Sequence, residues 1–393
     1  MKIGIYNEPS CGGIGGSEIS VAVLAEALKG GHEVEIIHHK EYLTLKRLAE
    51  ISGTNLGAVR MRHVEHDPHS FGSSHNPFAR YDEARAWNAG LSEPYDLFIN
   101  FTHGFPPFCH APRGVLMILF PLDEPLHVQL RAGGSRPGVT NFSRRIKHLY
   151  HAWEWRRRLG SYQITLANSY FTRAWAKRRW EVDCKVVYPP VDIDSRPCGK
   201  SAIILSVGRF TTAGHSKKQL EMLAAFKQLD DDCLGGWQYV CVGGLSGSPQ
   251  DQEYFEKAQS SGRDARTRVL ANVERARLKR LYEEAKIFWH AAGYDEDEGQ
   301  RPELTEHFGM ATVEAMAGGC VPIVINKGGQ PEIVQHGVSG FLWNTLEELK
   351  EYTTLVARDE KLRSEMSDAA RVQSRRFSRE EYIKQFLEIL NLR

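Results

Sequence analysis

The sequence predicts an α/β protein made of two doubly wound, parallel-sheet domains of the Rossmann type. Three observations lead to this prediction. The chain opens with a β run, a glycine-rich turn, a helical stretch and a second β run; the same order restarts near residue 202; and a segment with paired prolines separates the halves. A β–α–β order indicates a parallel sheet, because only a crossover segment joins neighbouring parallel strands.

In the first half, apolar runs and turn residues predict each element in order. Residues 2–6 form a β run, residues 11–16 a glycine-rich turn, residues 18–28 a helix and residues 33–38 a second β run. Further strands are expected at residues 97–101, 115–120, 164–167 and 185–188. The first half therefore contains enough strands for a complete parallel sheet.

The second half repeats this pattern, with strands expected at residues 202–207, 239–242, 286–290 and 321–325 and a helix at residues 217–229. Pro189-Pro190, with Pro197 and Gly199 close behind, predicts a linker, since paired prolines fit neither a helix interior nor a central strand. We therefore expect a first domain at residues 1–198 and a second at residues 199–375. Ser378-Arg379-Glu380-Glu381 is a capping box that opens a last helix within residues 376–393, which either covers its own domain or crosses back to the first.

The composition is that of an ordinary globular protein. The 393 residues include 50 Lys plus Arg against 49 Asp plus Glu, so the net charge of +1 favours no class of partner. No apolar run approaches the roughly 20 residues of a membrane span, and the N-terminus lacks the apolar stretch of a secretory signal. The seven cysteines are scattered, with no Cys-x-x-Cys pair, which favours reduced thiols in a cytoplasmic protein over a disulfide framework or a zinc site.

The glycine-rich turn ends in Gly15-Gly16 and could bring backbone N–H groups to an anion at the start of the next helix. It does not fit the dinucleotide pattern G-x-G-x-x-G, because the third glycine would fall on Glu18. The second β run also ends without the acidic residue that holds a ribose. A dehydrogenase is therefore disfavoured, and the turn stays open between a ligand loop and a structural turn.

In the second half, a strand end delivers Arg209, and Lys217 opens the next helix. An arginine fork, a lysine charge and a helix N-terminus at the carboxyl edge of a parallel sheet suit a diphosphate. The alternative is a basic pair on the surface.

Two glutamates, Glu306 and Glu314, flank Phe308-Gly309-Met310-Ala311. We expect Glu306 in an entry loop and Glu314 in the first turns of a helix, so that the two carboxylates touch different parts of one ligand. The N–H groups of residues 309–311 would face a phosphate between them. The alternative is a solvated charge and an acid that the helix dipole favours.

Together these features resemble the retaining GT-B glycosyltransferases of the large family 4 group. The matching motifs, which span nearly the whole chain and fit most loosely between residues 40 and 160, are Gly15-Gly16-Ser17-Glu18, Gly208-Arg209 with Lys217, Glu306 and Glu314 around Phe308-Gly309, and Gly328-Gly329 with Glu332. The segments at residues 187–192 and 306–309 look most like mannosyltransferases that use GDP-mannose.

The resemblance implies a GT-B fold, in which two Rossmann-like domains face each other across a cleft. It implies retaining, metal-independent transfer of a hexose from a nucleotide-diphosphate sugar, with GDP-mannose favoured over a UDP-sugar. The acceptor would be a hydroxyl of a glycan, a glycolipid or a small molecule. No cofactor and no metal are expected.

The resemblance also implies roles for single residues. Arg209 and Lys217 would neutralise the diphosphate as it leaves, Glu306 would hold hydroxyls of the donor sugar, and Glu314 would accept from the ribose. The remaining residues would contact the nucleotide sugar or border the acceptor: Gly15, Gly16, Phe308, Gly309, Met310 and Ala311.

Many members of this group carry a histidine after a strand of the first domain, near the reacting sugar. Here the strand expected at residues 115–120 ends in Phe120-Pro121, so that histidine is missing from its usual place. His103, after the preceding strand, is the substitute candidate, and a structural loop histidine is the equal alternative. The front-face mechanism described for the group uses the departing phosphate oxygen to take the acceptor's proton, so no protein general base is assigned.

Residues 131–180 hold twelve basic residues against one acid, Glu154, with four tryptophans interleaved. An anionic membrane surface would suit this segment and a lipid-diphosphate-linked acceptor, which would place a cytoplasmic protein at the inner face of a membrane. Nucleic acid is not expected, because no nucleic-acid-binding motif matches. The alternative is a solvated helical face with tryptophans packed inward.

Two rival functions stay open. A sugar-nucleotide 2-epimerase shares the two-domain architecture and would act without an acceptor, and a non-catalytic protein would only bind the sugar nucleotide. A metal-dependent transferase fold needs Asp-x-Asp for its cation; residues 192–194 and 295–297 fit these letters, but neither triplet follows a convincing buried strand.

Overall fold

The computed structural model describes residues 1–7, 15–65, 77–122, 141–195, 199–212, 214, 216–229 and 234–392. The chain divides into two units, Met1–Val187 and Tyr188–Arg393, and each has its own parallel sheet. The prediction of two Rossmann-like α/β domains is confirmed.

The sheet of the first unit has the strand order β3-β2-β1-β4-β5-β6-β7. Its strands are β1 (Lys2–Asn7), β2 (Glu33–His38), β3 (Arg60–His63), β4 (Leu97–Thr102), β5 (Arg113–Ile118), β6 (Ile164–Ala167) and β7 (Lys185–Val186). Its helices are α1 (Gly16–Leu28), α2 (Leu45–Ser52), α3 (Pro77–Ser92), α4 (Asn141–Gly160) and α5 (Tyr170–Trp180). The central strands β1 and β4 are almost wholly buried, as a parallel sheet covered on both faces requires.

The sheet of the second unit has the strand order β10-β9-β8-β11-β12-β13. Its strands are β8 (Ser201–Val207), β9 (Gln238–Gly243), β10 (Thr267–Ala271), β11 (Ala285–His290), β12 (Val321–Ile325) and β13 (Phe341–Trp343). Its helices are α6 (Gln219–Lys227), α7 (Pro249–Ser261), α8 (Arg275–Glu284), α9 (Met310–Ala317), α10 (Gln330–Ile333), α11 (Leu346–Arg358), α12 (Glu360–Ser374) and α13 (Arg379–Leu390).

Both faces of the second sheet carry buried side chains. On β11, Trp289 packs in one cluster with Tyr239, whereas the neighbouring Phe288 packs in the opposite cluster with Val240. Successive residues of a strand point to opposite faces, so a strand covered on both sides reads as a continuous apolar run. This is why β11 and β12 are evident in the sequence.

In each sheet the strand order reverses at one point, between β1 and β4 in the first unit and between β8 and β11 in the second. The chain segments that leave the carboxyl ends of these strands run apart and leave a crevice, which is where ligands bind in open α/β sheets. The residues that follow β1, β4, β8 and β11 are therefore the positions to inspect for a site.

The linker belongs to the second unit, so the division falls after Val187 and not near residue 198, where the sequence places it. The ring of Tyr188 lies 5.5 Å from that of Phe308 and 5.0 Å from that of Phe377. The N–H of Val191 donates to the carbonyl of Phe377 at 2.9 Å. Paired prolines mark where regular structure stops, but side-chain packing decides which core the segment joins.

The last helix, α13, begins as its capping box predicts. The hydroxyl of Ser378 accepts from the N–H of Glu381 at 3.2 Å, and Tyr382 and Phe386 are buried. The helix is assigned to the second unit. Its crossing to the first domain stays a prediction.

Candidate functional site

The candidate site lies at the carboxyl ends of β8 and β11, where the order of the second sheet reverses. Gly208 and Arg209 follow β8, and His290 is the last residue of β11. The amide of Gln219, the first residue of α6, donates to the carbonyls of Gly208 at 3.1 Å and of Arg209 at 3.0 Å. These bonds fix the backbone of the loop, while the Arg209 side chain stays exposed.

Gly208 is required for the position of Lys217. A Cβ atom at Gly208 would lie 2.4 Å from Lys217 Cγ, so the lysine side chain occupies the space that any other residue would fill. His215, which precedes this lysine in the predicted motif, lies outside the described residues.

The aliphatic part of Lys217 carries its ammonium to Glu306. Lys217 Nζ donates to Glu306 Oε2, and the two side chains are 12% and 16% exposed. His290 Nε2 lies 2.9 Å from the same oxygen. A lysine, a carboxylate and a histidine from three separate segments thus meet at one point.

Burial lowers the pKa of His290, and nearby Lys217 lowers it further, although Glu306 acts in the opposite direction. The side chain is only 3% exposed. The imidazole is therefore neutral at neutral pH, and because an ionised carboxylate can only accept, Nε2 carries the hydrogen that Glu306 receives.

The glycine pair Gly328-Gly329 contacts the backbone of Glu306. The N–H of Gly329 donates to the carbonyl of Glu306 at 2.7 Å. Gly328 has φ +62°, and a Cβ atom there would lie 2.1 Å from the same carbonyl oxygen. The close contact of two backbones explains why glycine stands at both positions.

The helix α9 begins beside this cluster. Gly309 is its N-cap residue with φ +123°, and the first-turn residues Met310 and Ala311 are partly exposed. Phe308, by contrast, is only 3% exposed and packs on Tyr188 and Phe377. The first turn of α9 is therefore partly exposed, and the Phe308 side chain belongs to the core.

Glu314 lies on α9, as the sequence predicts. Tyr282 Oη donates to Glu314 Oε2 at 3.0 Å. Burial raises the pKa of Glu314, and Arg275 and Arg379 partly oppose that rise. The carboxyl group is thus held by Tyr282 and lies in the field of Arg275 and Arg379.

An acidic loop between β11 and α9, which includes the Asp-x-Asp letters at residues 295–297, bonds to the surrounding basic residues. Glu296 Oε1 accepts from Lys218 Nζ at 2.9 Å, and Glu298 Oε2 accepts from the N–H of Gly328 at 2.6 Å. Lys327 Nζ donates to the carbonyl of Gly293 at 3.0 Å. These bonds tie the loop to both lysine-bearing segments.

In the first unit, the start of α1 is closed by a buried carboxylate. Glu18 is 1% exposed; its Oε2 accepts from the N–H of Gly15 at 2.8 Å, and its Oε1 accepts from Lys40 Nζ at 3.1 Å. Burial alone would raise the pKa of Glu18, but His38, Lys40 and the Gly15 N–H together lower it to about 2. The Gly15 N–H offered to a ligand by the sequence prediction is therefore bonded within the protein here.

His103 follows β4 directly, beside the reversal point of the first sheet. Its carbonyl accepts from the N–H of Leu122 at 2.8 Å, and its side chain is partly buried. It thus lies at the carboxyl edge of the sheet of its own unit. Gly15 and Gly16 stand at the start of α1, while residues 8–14 of the turn lie outside the described residues.

Part of the basic segment serves the core of the first unit. Trp155 and Trp180 are 7% and 2% exposed. Arg158 and Arg179 are buried and donate to the carbonyls of Pro106 and Pro121. For these residues the structure agrees with the alternative interpretation of the basic segment, in which tryptophans pack inward.

Another part of the same segment faces outward. Leu149 and Trp153, one turn apart on α4, are 67% and 49% exposed, and the Arg157 guanidinium lies 4.6 Å from the Trp153 ring centroid. Residues 131–140 of the predicted basic segment lie outside the described residues. Within the described part of the chain, every helix is too short or too polar to cross a lipid bilayer.

Of the predicted site residues, the structure brings Lys217 and Glu306 into contact, places Arg209 on the neighbouring strand end, and places Glu314 on α9. His290 is the residue that the sequence analysis misses. A polar residue that ends a buried apolar strand at the reversal point is the signal that could identify it.

In the described ranges, no three His, Cys, Asp or Glu side chains gather as metal ligands would, and metal independence stays a prediction.

Known proteins resemble this chain in sequence. Residues 193–373 match the family model described as Glycosyl transferases group 1. The GDP-Man:Man(3)GlcNAc(2)-PP-Dol alpha-1,2-mannosyltransferase of Dictyostelium discoideum is 27% identical over 231 residues, which are 54% of this chain and 43% of that protein. The alpha-1,3/1,6-mannosyltransferase ALG2 of Homo sapiens is 27% identical over 230 residues, 50% of this chain and 51% of that protein. The chain thus spans about half the length of these curated relatives.

Solved structures resemble the chain over its whole length. The crystal structure of HepE of Anabaena in complex with UDP and glucose gives a TM-score of 0.67 at 18% identity, and the match covers 99% of each chain. At that identity the likeness concerns the fold.

Proposed function

Because the chain belongs to the group 1 glycosyltransferases and has their GT-B fold, we propose that it transfers a hexose, with retention and without a metal, from a nucleotide-diphosphate sugar to an acceptor hydroxyl. The observation that carries the proposal is the contact of Lys217, Glu306 and His290 at the carboxyl edge of the second sheet, beside the start of α9. This arrangement provides positive charge, hydrogen-bond acceptors and helix N–H groups within one site.

The positive groups suit the diphosphate. Arg209 offers a planar fork and Lys217 a point charge, and the start of α9 adds the N–H groups of its first turn and the positive end of its dipole. Charge that develops on the leaving diphosphate would be stabilised by these groups, which is the role a metal ion fills in other transferases.

The two glutamates would contact different parts of the donor. Glu306 accepts hydrogen bonds and would hold hydroxyls of the hexose, while Glu314, on the next turns of α9, would accept from the ribose. No protein general base is assigned, because the leaving phosphate oxygen can take the acceptor's proton on the same face. His103, at the ligand edge of the first unit, is the candidate for a group near the acceptor.

For the donor, GDP-mannose is favoured and a UDP-sugar is the alternative. Two curated relatives are mannosyltransferases by name, one of them named for GDP-Man, and the HepE structure holds UDP. The same names support a glycan or a lipid-diphosphate-linked acceptor.

We also propose that α4 meets an anionic membrane surface, at the inner face of the membrane in the cytoplasm. Leu149 and Trp153 present apolar surface, and Arg156 and Arg157 are exposed beside them. Exposed aromatic and aliphatic side chains among arginines are typical of helices that lie in a lipid interface.

Thermal-shift measurements with GDP-, UDP- and ADP-sugars would identify the donor, since a ligand that binds only the native state raises its stability. The donor is then incubated with candidate acceptors in EDTA, and the anomeric configuration of the product is determined. We expect transfer with retention. Conversion without an acceptor would indicate the 2-epimerase, binding without turnover would indicate a binding protein, and activity lost in EDTA would contradict metal independence.

A further inference from the structure

Glu306 Oε2 receives two donors of different kinds. Lys217 is a long, flexible side chain in the loop before α6, whereas His290 is the buried last residue of β11. The position of His290 is fixed by strand pairing, in which it lies opposite Val324 of β12. One donor can therefore move, and the other cannot.

The proposed function takes Lys217 to the diphosphate of the donor. Removing a donor from a mostly buried carboxylate is costly, because the desolvation of the carboxylate is then less well compensated. A second donor to the same oxygen keeps Glu306 satisfied and in place while the lysine turns toward the phosphates.

His290 is suited to hold Glu306 because its imidazole is neutral. With its hydrogen on Nε2, the imidazole leaves Nδ1 as a bare acceptor, and within the described part of the chain Nδ1 has no hydrogen-bond partner. A cationic donor in this place would cancel the charge of Glu306. A neutral donor orients the carboxylate and leaves its negative charge available to sugar hydroxyls.

We propose that His290 is a positioning residue, which holds Glu306 Oε2 through Nε2–H so that the carboxylate stays aimed at the hexose of the donor after Lys217 has engaged the diphosphate. This inference rests on the proposed function. It assigns His290 to the sugar end of the donor and not to its diphosphate.

The inference is tested with three substitutions. His290→Gln places an amide nitrogen close to the position of Nε2, His290→Asn places one close to Nδ1, and His290→Leu keeps bulk without a donor. For each variant kcat and KM are measured with the nucleotide sugar that the wild type uses, and Kd is measured with the free nucleoside diphosphate. His336→Leu, at an exposed histidine of the same unit, is the control for the substitution itself.

We expect His290→Leu and His290→Asn to lower kcat/KM for the sugar nucleotide by about ten- to a hundredfold, the range for one lost hydrogen bond to a charged group. Nucleoside diphosphate binding should stay at the wild-type level, and His290→Gln should recover most of the loss. The inference is overturned if His290→Leu turns over like the wild type, if His290→Gln is as poor as His290→Asn, or if diphosphate binding weakens in parallel. If His290→Leu fails to fold, the Gln and Asn pair still decides. A wild type that transfers no sugar would instead overturn the proposed function.

Discussion

Lys217 lies directly over Gly208, and the absent side chain of the glycine provides the space for the lysine. Gly208 directly follows the central strand β8, and its N–H donates to the carbonyl of Val242 on β9 at 2.9 Å, so its backbone cannot withdraw without breaking this bond. The pairing of a glycine with a lysine nine positions later is therefore a packing requirement of the site. It also gives a way to displace the lysine without removing its charge.

Gly208→Ala should impair transfer more than stability. The new Cβ would lie 2.4 Å from Lys217 Cγ, so the flexible side chain must turn away and lose its contact with Glu306 and with the proposed diphosphate position. We expect kcat/KM to fall by about ten- to a hundredfold, since displacing one charge-assisted contact is worth roughly 1.5–3 kcal/mol. Steady-state kinetics and thermal unfolding measure the two effects. Gly247→Ala, where nothing lies within 4 Å of the added atom, should leave both unchanged, and equal activity of the two variants would contradict the packing argument.

Glu306→Ala and Lys217→Ala should each nearly abolish transfer while the protein stays folded. Both side chains are near the surface, 16% and 12% exposed, and neither belongs to a core cluster. Removing a group that stabilises transition-state charge typically lowers kcat by about 100- to 1000-fold. Lys257→Ala, which removes a lysine from an exposed pair with Glu253, is the matched control. Wild-type turnover in either site variant would refute the assigned roles.

The central strands and the helices that follow them could be predicted from sequence, because strands buried on both faces must be continuously apolar. The strands β6 and β12 have the predicted bounds. Three edge strands, β3, β10 and β13, lie outside the prediction. The strand β3 reads Arg-Met-Arg-His and is at most half-buried, since an edge strand pairs on one side only and covers little of the core.

The positions of the candidate site residues could be predicted where these residues adjoin a strand end or a helix start, as Arg209, Lys217 and Glu314 do. His290 could not, because its importance comes from Glu306, which lies 16 positions later across an irregular loop. The buried carboxylate at Gly15 could not either. In the sequence, Glu18 only shows that the dinucleotide pattern does not fit. Its partner Lys40 lies two residues after the end of β2.

Lowering the pH should destabilise the first unit through Glu18. Its pKa is about 2 in the folded chain against an ordinary 4.5, so its ionised form stabilises the fold above about pH 4.5 and this contribution is lost as the pH falls toward 2. The difference is worth about 3 kcal/mol at neutral pH. Glu18→Gln should lower the free energy of unfolding by an amount of that order at pH 7 and by much less at pH 3. Denaturant unfolding at both values measures this, and a difference that does not change with pH would contradict the ionised, buried carboxylate.

The exposed face of α4 should bind anionic lipid in a salt-dependent way. Leu149 and Trp153 would enter the interface, and the nearby arginines would attract the head groups, an attraction that salt screens. Leu149→Ser with Trp153→Ser should reduce sedimentation with vesicles that contain phosphatidylserine at low salt, while transfer to a water-soluble acceptor stays unchanged. Leu355→Ser, at a leucine of the second unit that is 44% exposed, controls for the loss of apolar surface. If the wild type does not bind these vesicles at low salt, the membrane proposal is refuted and the exposed side of α4 is a solvated surface of the first unit.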